Sequence, residues 1–343
     1  MRRTVRTYRK KKPEGGGTLK GIAIGMVMAL LLTAGLYAAG IIPGFRPAGT
    51  AGRTTAPGQS VTGQAAATAT ATAPATVEAT VRPTEKFSSA RTDGPSPSPG
   101  YTGSLDMTAL AALDNTTLSW WIRLNDTHTT PGIDADIRAL LDKHNGLFTG
   151  NTAVKKIYLT FDEGYENGFT PLILDTLRAE GVRALFFITS SYLASSRDLV
   201  SRMVTEGHEV GNHSVSHLSM PSLMGEPEKF VREVEGLTEA FRAEYGRSMA
   251  CFRPPMGEYS ARSLEALSQL GYKTIFWSFA YDDWYTDRQR GADYAYDIVM
   301  RNLHSGAVYL LHAVSSDNAH ALERIIRGIR AEGYEIGDPA DLL

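Results

Sequence analysis

From Val154 to the C-terminus, short apolar runs alternate with amphipathic ones, and this alternation is what most constrains the fold. Strand-like runs occupy 157–161, 184–189, 208–211, 250–253, 274–279, 307–311 and 334–337. They are rich in β-branched and aromatic residues and mostly apolar, as strands covered on both faces are. Between them lie helix-like runs at 171–180, 197–206, 226–245, 261–270 and 318–332, each followed by a glycine, a common helix stop. In 226–245, Phe230, Val234, Leu237 and Phe241 share one face. Such a pattern predicts an α/β fold, a parallel sheet covered by helices. Its strand count predicts a distorted (β/α) barrel of about seven parallel strands, closed or nearly so, rather than an open sheet.

Upstream the composition changes. Residues 1–20 hold eight basic residues and one acid, a net +7; the whole chain is −2, so the rest carries −9. The bulk therefore offers nucleic acid no electrostatic footprint, and no nucleic-acid partner is expected. Gly21 to Ile42 is an uncharged, apolar run, long enough to cross a bilayer as a helix. With the basic block before it, 21–43 is expected to be a transmembrane helix, with 1–20 cytoplasmic and the remainder extracellular. A cleaved signal peptide is the competing reading, against which the length of the run speaks. Residues 44–103, built from Ala, Thr, Pro, Gly and Ser, read as a disordered linker. Residues 104–153 regain apolar content, with Trp120, Trp121, Leu140, Leu141 and Phe148, and read as a lead-in packing on a domain spanning 154–343. The single cysteine, Cys251, excludes an intrachain disulfide and a Cys-rich metal site.

Polar clusters recur just past the strand-like runs. Asp162 and Glu163 follow the run at 157–161, ahead of Thr170, read as an N-cap, and Pro171. Acids there can simply cap the next helix; strand C-termini are also where α/β folds place chemistry. His213 and His217, four apart, share one face if their segment is a helical turn, and with a carboxylate from another strand end would suit Zn²⁺ or a similar ion. Histidine pairs also occur on plain surfaces, so the spacing alone does not decide. Arg253 precedes Pro254 and Pro255, which would hold it rigidly enough to grip a carboxylate; alternatively it covers an apolar edge. Asp283 and Trp284 follow 274–279, and His312 follows 307–311, where an isolated histidine is as readily satisfied by backbone.

Together the stretches TFDEG (160–164), HSVSH (213–217), RPPMG (253–257), Asp283-Trp284 and LLH (310–312) resemble, in that order, the polysaccharide deacetylase family, the NodB-homology or carbohydrate esterase family 4 group. TFDEGYENG, FWSFAYDDW and YLLHAVSSDNAHAL, with SWWIRLN and HNGLFTGNT upstream, are similar to its peptidoglycan N-acetylmuramic acid deacetylases of the δ-lactam, spore-cortex type. The resemblance implies a NodB-like barrel that removes an N-acetyl group from a peptidoglycan glycan strand. It implies Asp162 as general base, His312 as general acid, Arg253 orienting the base and Asp283 supporting the acid. It implies a divalent metal, Zn²⁺ first, on Glu163, His213 and His217, with Trp284, Leu310, Pro254, Pro255 and Tyr165 contacting substrate. Two positions depart from the pattern: Glu163 stands where the family has aspartate, and Met256 where many relatives have an aromatic. N-acetylglucosamine is the alternative sugar. A glycan-binding module without catalysis is the alternative class, to which only Glu163 points. A metallopeptidase lacks its HExxH helix.

Overall fold

The computed structural model describes residues 105–343; the expected cytoplasmic segment, transmembrane helix and linker lie outside the described residues. The strands are β1 (Leu118–Ser119), β2 (Gly146–Leu147), β3 (Lys156–Glu163), β4 (Leu185–Ile188) and β5 (Glu209–Asn212). They continue as β6 (Cys251–Phe252), β7 (Glu258–Tyr259), β8 (Lys273–Ile275), β9 (Ala307–His312) and β10 (Glu335–Ile336). Each of the seven strand-like runs overlaps one of these strands. Parallel pairing runs β10–β3–β4–β5–β6–β8–β2, and β9 pairs along the other side of β3.

The sheet curls but does not close as a continuous ladder. The segments after β8 and along β9 meet instead at the isolated bridge Phe279–Tyr309, with Ser278 N–H donating to Val308 O and Leu310 N–H to Phe279 O. The expected closed barrel is thus a curled parallel sheet with a seam. The run 274–279 leaves its strand at Ile275, because the carbonyls of Ile275 and Phe276 are taken by Arg253.

Alternation along the strands sorts the core into layers. Ile157, Leu159 and Phe161 of β3, with Phe186 and Ile188 of β4 and Tyr309 and Leu311 of β9, face the covering helices. Tyr158, Leu185, Phe187, Ile275 and Val308 fill the inside of the curl, joined by Cys251 and by Leu342 from the C-terminus. Above that plug, toward the strand C-termini, the inward positions turn polar: Thr160, Asp162 and His312.

Most expected helices are present within a residue or two. Thr170–Ala179 starts at Thr170, so Thr170 is the first helical residue and not the N-cap, which is Phe169. Pro227–Tyr245 buries Phe230, Val234, Leu237 and Phe241 and ends at Gly246, whose φ of 66° is the left-handed stop that glycine adopts without strain. The last helix starts at Ser316, two residues earlier than expected, capped by Ser315. Among the described residues no helix is long and apolar enough to cross a membrane. The transmembrane helix is corrected accordingly, and with it the membrane as partner and the single-pass location, which rested on that helix alone. The helices described are amphipathic, their apolar residues forming one stripe against the sheet.

Residues 118–148 close one side of the curl. β1 pairs antiparallel with β7 and β2 adds in parallel to β8. Trp120 anchors this side: it is buried, stacks on Phe276 at 4.4 Å and donates its indole N–H to Trp277 O at 3.0 Å. Truncating a buried tryptophan costs about 3–5 kcal/mol. Trp120→Ala is expected to lower the urea midpoint by an equivalent amount at unchanged slope; a midpoint within error of wild type would show that the segment is not part of the cooperative unit.

Candidate active site

A cavity of about 920 Å³ opens at the C-terminal ends of the strands, with Asp162, His213, His217 and His312 among its lining residues. Its walls are largely apolar: Pro254, Met256, Trp277, Trp284, Leu310 and Val314. Asp162 and His312 are register partners on adjacent parallel strands, which brings residues 150 apart in sequence side by side.

Asp162 is buried against Arg253. The fully buried guanidinium donates from Nη1 to Asp162 Oδ1 at 2.7 Å and to Thr160 Oγ1 at 2.8 Å. Its Nε donates to Ile275 O at 3.1 Å, and its carbon lies 4.1 Å over the Phe187 ring. Burial pushes the Asp162 carboxyl up, but the charge of Arg253 and the neighbouring histidines outweigh it, so the group sits below its ordinary value and is ionised near neutrality.

His312 is set up in the opposite sense. Its Nδ1–H and its backbone N–H donate to the two oxygens of the buried Asp283, each at 2.7 Å. Burial pulls the imidazole down; the Asp283 charge and hydrogen bond, with Asp162 beyond, more than offset this and raise it above 6.5. An ionised carboxylate thus sits beside an imidazole pushed toward its protonated form, a pairing suited to base and acid in one reaction.

His213 and His217 also meet at the cavity, their rings 4.9 Å apart. They are not on a helical turn as expected. Ser214 and His217 have φ of 71° and 57°, and the loop is pinned by Ser214 N–H to Asn212 Oδ1, Val215 N–H to Glu233 O and Ser216 N–H to the Glu233 carboxylate. His213 Nδ1–H donates to Arg253 O at 2.8 Å, which turns Nε2 to the cavity, 3.5 Å from Asp162 Oδ2. Burial lowers its pKa to about 4, and burial lowers His217 as well, so both rings are neutral near pH 7. Neutral imidazoles fit a divalent ion.

Glu163 does not join them. It is the residue after an inward-facing one, so it points with Phe161 to the helix side, where it is fully buried and its carboxyl oxygens have no hydrogen-bond partner. Burial, then the charges of Glu166 and Asp162, raise it well above 4.5. Among the described residues no group of three His, Cys, Asp or Glu side chains is placed to hold a metal ion, and of the expected Glu163–His213–His217 set only the two histidines come together at the cavity. Of the expected substrate contacts, Pro254, Leu310, Trp284 and Tyr165 line the cavity, Trp284 and Tyr165 being about half exposed, whereas Pro255 is buried beneath them. Residues that sequence reasoning missed are Thr160, which accepts from Arg253, Glu233 under the histidine loop, and Asn318, which donates to Asp283 at 2.5 Å. Asn318 had a legible signal: it shares the stripe of Leu322, Ile325 and Ile329 on its helix, a buried position held by an amide.

A carboxylate and a histidine on neighbouring strand ends, inside the mouth of a curled parallel α/β sheet, are the pair of groups that acid–base hydrolysis uses. Comparison with known proteins narrows the class. A family model described as polysaccharide deacetylase matches residues 149–275. Peptidoglycan-N-acetylmuramic acid deacetylase PdaA of Bacillus subtilis (strain 168) is 37% identical over 233 residues, 68% of this chain and 88% of its own. The solved structure of that protein, a family 4 carbohydrate esterase, superposes with a TM-score of 0.64 over 67% of this chain and 98% of the other. A family 4 carbohydrate esterase from Bacillus anthracis, 38% identical, superposes at 0.57 over 67% of this chain and 98% of the other. The chain belongs to the polysaccharide deacetylase family, carbohydrate esterase family 4, and is an enzyme, a hydrolase of carbon–nitrogen bonds other than peptide bonds. Deacetylases of this family are generally metal-dependent.

The Glu163 placement has a measurable consequence. A carboxyl whose pKa is raised on folding binds more protons folded than unfolded, so stability falls as pH rises from the unfolded value toward the folded one. Glu163→Gln removes that loss. The stability difference, variant minus wild type, is expected to grow from pH 4.5 to pH 7.5 in urea melts; a difference that shrinks would mean the carboxylate is ionised in the fold.

Proposed function

We propose that the enzyme removes the N-acetyl group of N-acetylmuramic acid in a peptidoglycan strand, releasing acetate and a free amino sugar, as the name of its Bacillus subtilis relative describes for that protein. The product amine would be the precursor of a δ-lactam. The catalytic domain would be 154–343, with 104–153 as its lead-in. One observation carries the reading: Asp162 and His312 are register partners at one cavity, with protonation preferences pushed in opposite directions. Asp162, held by Arg253, takes a proton from the attacking water. The acetyl carbon passes through a tetrahedral oxyanion, and His312, held by Asp283, protonates the departing amine. Leu310, Trp284 and Pro254 would enclose the acetyl group, with Tyr165 on the rim and Pro255 stiffening the turn.

His213 and His217 would seat a divalent ion, Zn²⁺ first, without Glu163. Such an ion, when bound, polarises a carbonyl and lowers the pKa of water. Metal content measured by mass spectrometry after dialysis is expected to fall in His213→Ala and His217→Ala and to stay unchanged in Glu163→Gln; loss of metal in Glu163→Gln would restore it as a ligand.

A second reading, N-acetylglucosamine as the sugar, has one observation in its favour: among the described residues no lysine or arginine lines the cavity to meet a lactyl carboxylate. Fragmentation mass spectrometry of treated glycan strands separates the two by locating the free amine. Loss of acetyl from glucosamine alone would overturn the muramic acid assignment.

Removing either catalytic group is expected to lower turnover by about 10²–10⁴-fold, measured as acetate release by folded Asp162→Asn and His312→Ala. The wild-type rate should rise with pH on a limb set by Asp162, below the ordinary carboxylate range, and fall on a limb set by His312, above 6.5. Asp283→Asn removes the charge that raises His312, so its alkaline limb should move to lower pH.

A further inference from the structure

We propose that Asn318 is a positioning residue for the acid: its carboxamide, oriented by Tyr281, holds Asp283 so that one carboxylate oxygen meets the His312 ring and leaves Nε2 to the cavity. This rests on the reading of His312 as proton donor.

Asn318 is buried and is not among the lining residues of the cavity, so it acts through its neighbours. Its Nδ2 donates to Asp283 Oδ2 at 2.5 Å and to His312 O at 3.2 Å, so one amide group grips both members of the pair. Its Oδ1 accepts from Tyr281 OH at 2.5 Å. The hydroxyl is kept protonated by burial and by Asp283, so it donates, and the amide is fixed with its N–H₂ toward the carboxylate. Asp283 Oδ2 therefore receives Asn318 and the His312 backbone N–H, and Oδ1 is left for the ring.

Side chains of other chemistry would not serve. A carboxylate at 318 would face Asp283 with like charge, and an aliphatic side chain would leave Oδ2 short of a donor in a buried place. The surroundings fix the same geometry. Ser315 caps the helix and accepts from Asn318 N–H at 3.2 Å. The loop bearing Asp283 is tied to that helical turn: Gln289 Oε1 accepts from Ser315 Oγ at 2.8 Å, and Asp317 Oδ2 accepts from Gly291 N–H at 2.8 Å. The charged and titratable groups facing His312 are Asp283 from this loop, Asp162 from β3, Arg253 after β6 and His217 from the loop after β5. Only Asp283 is held by Asn318.

The test uses the full chain, with acetate release from purified peptidoglycan strands measured across pH. Asn318→Ala is expected to lower kcat about ten- to a hundredfold with KM changed by less than about twofold. Its alkaline limb should shift to lower pH, because Asp283 is no longer aimed at the ring. Asn318→Asp should be slower still at pH 7 and recover as pH falls and the introduced carboxyl takes the proton that lets it donate. Tyr281→Phe should move kcat and the alkaline limb in the same direction by less. Wild-type kcat and an unmoved limb in folded Asn318→Ala would overturn the proposal, provided His312→Ala is inactive; an active His312→Ala would instead remove the reading beneath it. If Asn318→Ala loses its circular dichroism signal, Tyr281→Phe decides, and an unmoved limb there overturns the proposal.

Discussion

The site depends on one buried ion pair. Taking Arg253 and Asp162 out of water costs several kcal/mol per ion, recovered only when the guanidinium donors and carboxylate acceptors are matched. Here Arg253 reaches Asp162 and Thr160 on β3 and the carbonyls of Ile275, the last residue of β8, and of Phe276 after it. One side chain thus ties three strands at the level where the apolar plug ends and the cavity begins. The segment that it holds leaves the ladder there and continues to Trp277 on the cavity wall. Arg253 O in turn receives His213 Nδ1–H, so the arginine's backbone aims the first histidine while its side chain holds the acid.

Two adjacent acids have opposite fates for a geometric reason. A strand presents successive side chains to opposite faces, and β3 stays regular through Glu163. Asp162 enters the cavity, where a guanidinium keeps it ionised. Glu163 enters the helix layer near Glu166 and Tyr192, where burial pushes its pKa well above the ordinary carboxylate value. A longer side chain cannot reverse that, since length adds reach but not a change of face. The same alternation on β9 sends Leu311 outward and brings Leu310 and His312 to the cavity.

Much of this was legible in the residues. The strand and helix runs and the glycines closing the helices follow from local pattern, and the five polar stretches at strand ends follow from their order. What local pattern could not supply were the contacts between distant segments. Thr160 reads as an ordinary strand residue until Arg253 arrives from 93 positions away. Asn318 reads as the first residue of a helical run until Ser315 is found to cap that helix and the Asn318 amide to reach Asp283. The histidine loop reads as a helical turn because spacing carries no information on the positive φ that Asn212 and Glu233 hold from outside it.

By itself the amino-acid sequence determined the α/β class, the family and the residue types available for chemistry, because periodicity, turn chemistry and motif order are properties of neighbours along the chain. Only the tertiary structure decided which carboxylate faces the cavity, which imidazole is pushed toward its protonated form and whether the sheet closes. Those outcomes depend on burial and on the charge across the gap, and both exist only once strands far apart in sequence lie side by side.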